Sequence, residues 1–331
     1  MKLRAFLGRL PVVHQFRQSV GLQRGMLLAG LIITGFFAVM AIFAPWLAPF
    51  GYNQLTGDDG ETFGAQVPPG GEHLLGTTVG GYDVLSRVIW GSRTAFMVII
   101  VAVLLSVFVG VLLGLISGYI GGWVDRVLVV IADAVYAFPT LLLAIVAGIV
   151  ISRGQSNLLG GVFAAAISIT VVFIPQYFRV IRAEAVRVKA EAFVESAKVV
   201  GAPVPRIMFR HVLRNSTRTL PLIFTLNSSE AILTLAGLGF LGFGIEPTSA
   251  AEWGYDLNRS ISDVTSGIWW TSIFPGLAIV LIVLGVTLIG ESLNDLTDPR
   301  LRTRRRAGTS TPAEADAESA PVARADTGEV R

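Results

Sequence analysis

Six long apolar stretches, separated by polar segments of alternating charge, organise this chain. They run from about Met26 to Pro49, Thr94 to Ile116, Val127 to Ile151, Leu158 to Phe178, Leu220 to Phe243 and Ile268 to Gly290. Each is close to the ~20 residues that a helix needs to cross a hydrocarbon core of roughly 30 Å. The pattern predicts an all-α membrane protein with six transmembrane helices. Pro139 lies inside the third stretch, so a kink or break is expected near "AFPTLL". The first stretch is longer than a secretory h-region and is followed by no clean A-x-A site, so it reads as an anchor.

Lysine and arginine distribute unevenly between the stretches. Lys2, Arg4, Arg9, Arg17 and Arg24 precede the first, whereas no lysine or arginine occurs from Phe50 to Ser86, where Asp58, Asp59, Glu61 and Glu72 lie. Between the fourth and fifth stand Arg179, Arg182, Arg187, Lys189, Lys198, Arg206, Arg210, Arg214 and Arg218. After the fifth there is only Arg259 against Glu246, Glu252, Asp256 and Asp263, and "RLRTRRR" follows the sixth. The positive-inside rule then predicts a multi-pass membrane protein with both termini in the cytosol. The expected organisation is a cytosolic segment over 1–25, an anchor and external loop over 26–92, a five-span core over 93–295 holding a basic cytosolic loop at about 186–218, and a cytosolic tail over 296–331. That tail is rich in Ala, Ser, Thr, Pro, Glu and Asp without apolar periodicity, and is expected to be disordered.

Composition agrees. Hydrophobic residues make up 53% and charged residues 15% of the chain, against about 25% charged in soluble proteins. Mean hydropathy is +0.66. With no cysteine, and with His14, His73 and His211 widely scattered, no metal site is expected on this chain. No phosphate-binding loop occurs either, so nucleotide energy, if used, must come from another chain. Nothing in the pattern points to nucleic acid or to an enzyme.

Gly110, Gly114 and Gly118 stand four apart in the second stretch, the spacing that lets another helix approach closely. Asn227, Ser228, Ser229 and Glu230 are polar residues inside the fifth. A carboxylate there costs about 2.5–3.5 kcal/mol to insert, so it must face protein or water. Structural hydrogen bonding, lining of a translocation pathway and proton coupling all remain open for Glu230. Proton coupling would make the chain a secondary transporter, although no inverted repeat of broken helices is evident.

"VESAKVVGAPVPRIMFRHVLRN", Val194 to Asn215, is the most unusual polar segment. Residues from Val186 to Val200 favour helix, Gly201 suits the left-handed turn that ends one, and Pro203 and Pro205 force a non-helical entry to the next element. Ile207, Met208 and Val212 then form an apolar strip, with Arg206, Arg210, Arg214 and Arg218 on another face. Helix, sharp turn and short amphipathic helix suit docking into a groove on a cytosolic partner. An interfacial helix whose arginines meet lipid headgroups fits the periodicity equally.

The same segment resembles the EAA loop of ABC importer permeases. Glu195, Ser196 and Ala197 stand at Glu-Ala-Ala, and Gly201 falls at the right spacing. "FRHVLRN" is similar to the "FRHILPN" of the dipeptide/oligopeptide/nickel branch, with Arg214 in place of proline, so a softer turn is expected there. "HLLGTTVGGYDVLSRVIWGSRTA", "GYIGGWVDRVLVVIADAVYAFPTLLLA" and "AGLGFLGFGIEP" resemble further segments of that branch, of its C-type subunit in particular. The likeness covers residues 25 to 302. It implies the type I ABC importer permease fold, with Glu195, Ser196, Ala197, Gly201, Pro203, Pro205, Arg206, Ile207, Met208, Arg210, His211 and Val212 in the coupling loop. The implied partners are a second homologous permease, two cytosolic ATPases carrying ATP and Mg, and an extracytoplasmic binding protein; this chain carries no cofactor. The implied cargo is a di- or oligopeptide, with nickel chelates and glutathione as alternatives. The branch commonly has a glutamate where Leu235 stands, and Glu230 is five residues, about 140°, away on a helix, so that role does not transfer.

Overall fold

The computed structural model describes residues 22–57, 59–152, 158–217 and 219–297. The basic segment before residue 22, Asp58, Arg218 and the tail beyond 297 lie outside the described residues. Within them every regular element is helical, with isolated bridges at Thr56 and Thr62, Gly70 and His73, and Thr77 and Asp83.

The long helices are α1 (Leu22–Leu47), α2 (Val84–Ile120), α3 (Gly122–Tyr136), α4 (Thr140–Ser152) and α5 (Leu158–Lys189). A short segment follows: α6 (Ala192–Val199), α7 (Val204–Arg206), a π-helical turn (Ile207–Val212) and α8 (Leu213–Ser216). After α9 (Leu220–Phe240) come α10 (Trp253–Arg259), α11 (Ile261–Thr265) and α12 (Trp270–Thr297). Parts of α1, α2, α5, α9 and α12 make five helices long and apolar enough to cross a membrane, and α3 with α4 makes a sixth if that pair is one span.

The expected third span is therefore not one helix. α3 and α4 meet at 99°, because Pro139 supplies no amide hydrogen and disfavours helical geometry at Phe138. Two other helices outrun their apolar stretches. α2 begins at Val84, well before Thr94, because Asp83 caps it, its Oδ2 accepting a hydrogen bond from Ser86 N at 2.7 Å. α5 continues from Phe178 to Lys189, about three turns of polar helix.

α2 and α5 are the closest pair. A Cβ on Gly110 would stand 2.5 Å from Tyr177 Cβ, one on Gly114 2.6 Å from Phe178 O, and one on Gly118 2.7 Å from Arg182 O. No side chain fits between the two backbones. Reciprocal bonds lock the contact: Ser106 Oγ donates to Thr170 O at 3.2 Å, and Thr170 Oγ1 to Ala102 O at 3.3 Å. Around it, Val98, Ala102, Ile169, Phe173 and Tyr177 join Phe37 of α1, Ile232 and Leu235 of α9 and Ile282 of α12 in the main core. At the end where the basic residues gather, Asp125 of α3 takes Arg182 of α5 in a two-pronged ion pair at 2.5 and 2.7 Å. Asp133 meets Arg179 at 2.8 Å in the same layer.

Replacing Gly114 with Leu is expected to force α2 off α5, at a cost of at least ~2 kcal/mol by overpacking. In detergent the variant should lose its folded peak in size exclusion and melt earlier, while Gly148→Leu, whose nearest neighbour is a serine hydroxyl at 3.4 Å, should be milder. Equal behaviour of the two would refute the close-packing account.

Candidate functional site

The segment from Ala190 to Ser216 is a mounted knob. α5 ends at Lys189 and the chain breaks at Ala190 and Glu191, with Glu191 extended at ψ 144°, so the helix expected over Val186 to Val200 is two helices. Gly201 then turns the chain at φ +81° with open space around its Cα. Pro203, extended at ψ 145°, leads into α7, with Pro205 in its first turn. Leu213 N reaches Met208 O, the wide spacing of a π turn, and the helix continues through Arg214 to Ser216.

Burial within the knob corrects one expectation. The apolar strip of Ile207, Met208 and Val212 points inward, where it packs with Val194 against Leu115 and Tyr119 of α2 and Ile181, Ala185 and Val188 of α5. It secures the knob to its own bundle and offers no surface to a partner. The outward surface consists of residues that periodicity passed over: Val199 and Val200 are 87% and 86% exposed, and Val204 and Phe209 about half exposed. Glu195, Ser196, Gly201, Pro203, Pro205, Arg206 and Arg210 are exposed beside them, with Ala197 and His211 half-buried. Lys198 Nζ meets Glu195 at 2.6 Å across one turn. The helix-stop at Gly201 was the available signal, since a valine pair just before a left-handed turn must sit at the apex.

The polar row of α9 divides. Asn227, Ser228 and Ser229 are buried, whereas Glu230 is half-buried in an outward strip between Leu226 and Leu233. Ser229 Oγ and Thr287 Oγ1 of α12 are 3.1 Å apart, and Ser228 Oγ donates to Phe224 O at 2.7 Å. Asn227 and the Tyr177 hydroxyl of α5 are buried together, each other's polar neighbour across the helix contact. Leu235 is in the core, so a carboxylate there would have a different environment from Glu230.

A family model described as the binding-protein-dependent transport system inner membrane component matches residues 110–303. The N-terminal TM domain of oligopeptide transport permease C matches residues 22–69. The chain belongs to the binding-protein-dependent transport permeases, in their dipeptide and oligopeptide branch. A dipeptide transport system permease protein from Alkalihalophilus pseudofirmus is 36% identical over 275 residues, 83% of this chain and 86% of the relative. A glutathione transport system permease protein from Shigella flexneri is 34% identical over 307 residues, 90% of this chain and 97% of the relative.

At its opposite end the permease carries a polar cluster that its hydropathy conceals. Arg87, in the first turn of α2 and 2% exposed, donates from Nε to both carboxylate oxygens of Asp256 at 2.7 and 2.9 Å. Its Nη1 donates to Tyr52 O at 3.0 Å, and its guanidinium stands over the Tyr82 ring at 5.1 Å. Three indoles staple the loops around it: Trp90 Nε1 donates to Phe50 O, Trp253 Nε1 to Val88 O and Trp270 Nε1 to Thr77 O, all at 3.1–3.2 Å. His73 and Asp83 pair at 3.0 Å in the buried base of the loop. The two acidic loops thereby form one platform on α2. Sequence pattern gave no hint of the Arg87–Asp256 pair, because 169 residues separate its members.

Glu252 caps α10, accepting hydrogen bonds from Gly254 N at 2.8 Å and Tyr255 N at 2.7 Å. Burial nevertheless pushes its carboxyl from an ordinary 4.5 up to about 8, the two amides opposing and the nearby Asp256 reinforcing the shift. Burial also raises Asp256, against the pull of Arg87. Between about 4.5 and 8 the folded permease keeps a proton that the unfolded chain has released, so stability falls as pH rises through that window. Thermal midpoints in detergent should decline from pH 5 to 8, and Glu252→Gln, which loses one capping bond, should start lower with a flatter slope. An unchanged slope in that variant would assign the effect elsewhere.

Proposed function

We propose that this permease is the C-type transmembrane subunit of an ATP-driven importer for di- or oligopeptides, forming half of the translocation pathway beside a second, homologous permease. Two cytosolic ATPases supply ATP hydrolysis, with Mg, and an extracytoplasmic binding protein delivers cargo. The basic end, with both termini, lies on the cytosolic side of a bacterial cytoplasmic membrane, as the charge bias supports. The acidic platform faces outward, where the binding protein docks. Peptide cargo follows the dipeptide transport relative; glutathione, named in the second relative, is the alternative.

The observation that carries this reading is the apex of the knob. Two adjacent valines stand almost fully in the open on a mount whose own apolar side chains are buried. Exposed apolar residues on a rigid support mark an interaction site. Val199 and Val200, with Val204 beside them, enter the ATPase groove; Glu195, Ser196, Arg206, Arg210 and His211 form its rim, and Ile207, Met208 and Val212 hold the knob at the end of α2 and α5. Closure of the ATPases pushes on this apex and tilts the helices between two packings. Glu230, with Asn227, Ser228 and Ser229 behind it, lines the pathway toward the second permease, which spares a carboxylate from lipid.

Val199→Asp with Val200→Asp is expected to leave the permease inserted and folded, abolish ATP-dependent peptide uptake in reconstituted vesicles and prevent co-purification of the ATPases. Gly201→Val should also lose uptake, since a β-branched residue at φ +81° costs about 1–2 kcal/mol, whereas Gly201→Asn, which tolerates that region, should keep most of it. Normal uptake in both the valine-pair and the Gly201→Val variants would overturn the coupling assignment. Glutathione uptake without dipeptide uptake would select the alternative cargo.

A further inference from the structure

Beside the knob lies a groove of about 700 Å³, within the range of about 300–1,000 Å³ that holds small ligands. One wall is the apolar face of α2 from Leu104 to Leu115; the other is Phe209, Leu213 and Leu220, and its polar lining is Arg214 and Thr217. The α2 wall spans eleven residue steps, about 16 Å, and one leaflet of a hydrocarbon core is about 15 Å deep. The groove has the length of a single lipid leaflet. It ends on the basic segment, where Arg214 is exposed, and among the described residues no acid pairs with its guanidinium.

We propose that this groove binds one anionic phospholipid of the adjacent leaflet, an acyl chain lying along α2 and the phosphate on Arg214. A helix of another subunit would fill the apolar walls but, unless it carried an acid at that end, leave the exposed guanidinium unpaired. A phospholipid satisfies both parts of the groove. Because Phe209 and Leu213 belong to the same short segment as the coupling apex, a bound lipid braces that apex against α2. The lipid site itself depends on the orientation proposed above only for which leaflet is meant, and its binding test uses no transport.

The test is native mass spectrometry of the purified importer complex, delipidated in mild detergent and titrated with phosphatidylglycerol or phosphatidylcholine of equal chain length. One phosphatidylglycerol should be retained in preference, by about fivefold for a single arginine–headgroup contact. Arg214→Gln should erase the preference without altering assembly, and Leu112→Trp, which fills the groove, should lower retention of both lipids. Since the chain has no cysteine, Phe108→Cys provides a second readout: in the delipidated complex its thiol should react with a membrane-soluble maleimide, and added phosphatidylglycerol should slow that reaction. Headgroup preference unchanged by Arg214→Gln would overturn the proposal. So would an introduced thiol that reacts in the isolated subunit but is shielded in the complex, since a protein partner would then fill the groove.

Discussion

The approach of α2 to α5 through Gly110, Gly114 and Gly118 is the constraint on which the rest depends. With no Cβ between them, backbone meets backbone over two turns, and two hydrogen bonds from Ser106 and Thr170 extend the contact. The apolar effect does not drive helices together inside lipid, so this kind of fit, with its dispersion contacts, must do so. Both apolar clusters grow from the same pair. The main core collects α1, α9 and α12 along its length, and the smaller cluster at the basic end seats the knob. A change that opened the pair would loosen the core and the knob together.

Much of this architecture was legible in the chain because membrane spans announce themselves by length and apolarity. The anchor, the fifth and sixth spans and the left-handed turn at Gly201 fall close to where hydropathy and turn chemistry put them. What hydropathy missed was polar helix. The first turns of α2 hold Ser86, Arg87 and Arg93, which read as a boundary, yet Asp83 caps the helix before them and Arg87 is paired with Asp256. The last turns of α5 are charged and still helical, because Asp125 and Tyr119 O take up Arg182 and Lys189. At Pro139 a break was foreseeable, but its angle depends on how α4 packs against α5, which no local pattern records.

The segment from Ala190 to Ser216 shows a different limit. Periodicity identified a strip of Ile207, Met208 and Val212 correctly as one face of an amphipathic element. It could not say whether that face meets another chain or this one. The small cluster at the end of α2 and α5 had already claimed it, leaving the less regular pair Val199 and Val200 outside. An amphipathic pattern specifies burial; only the tertiary structure says against what.

Pro175 interrupts α5 near the middle of the bundle, and alone it would let the lower half of that helix swing. α2 has no such weak point, and Gly110 rests against Ile174 O and Phe178 N, on either side of the proline. α2 therefore splints α5, and the two form a single strut. At 37 residues α2 is about 55 Å long, well beyond the thickness of the hydrocarbon layer. One end is clamped to the platform by Arg87 and the other seats the knob, so a push on the valine apex reaches the far loops as tilt of a stiff rod. No relay of side chains through the bundle is needed to carry it.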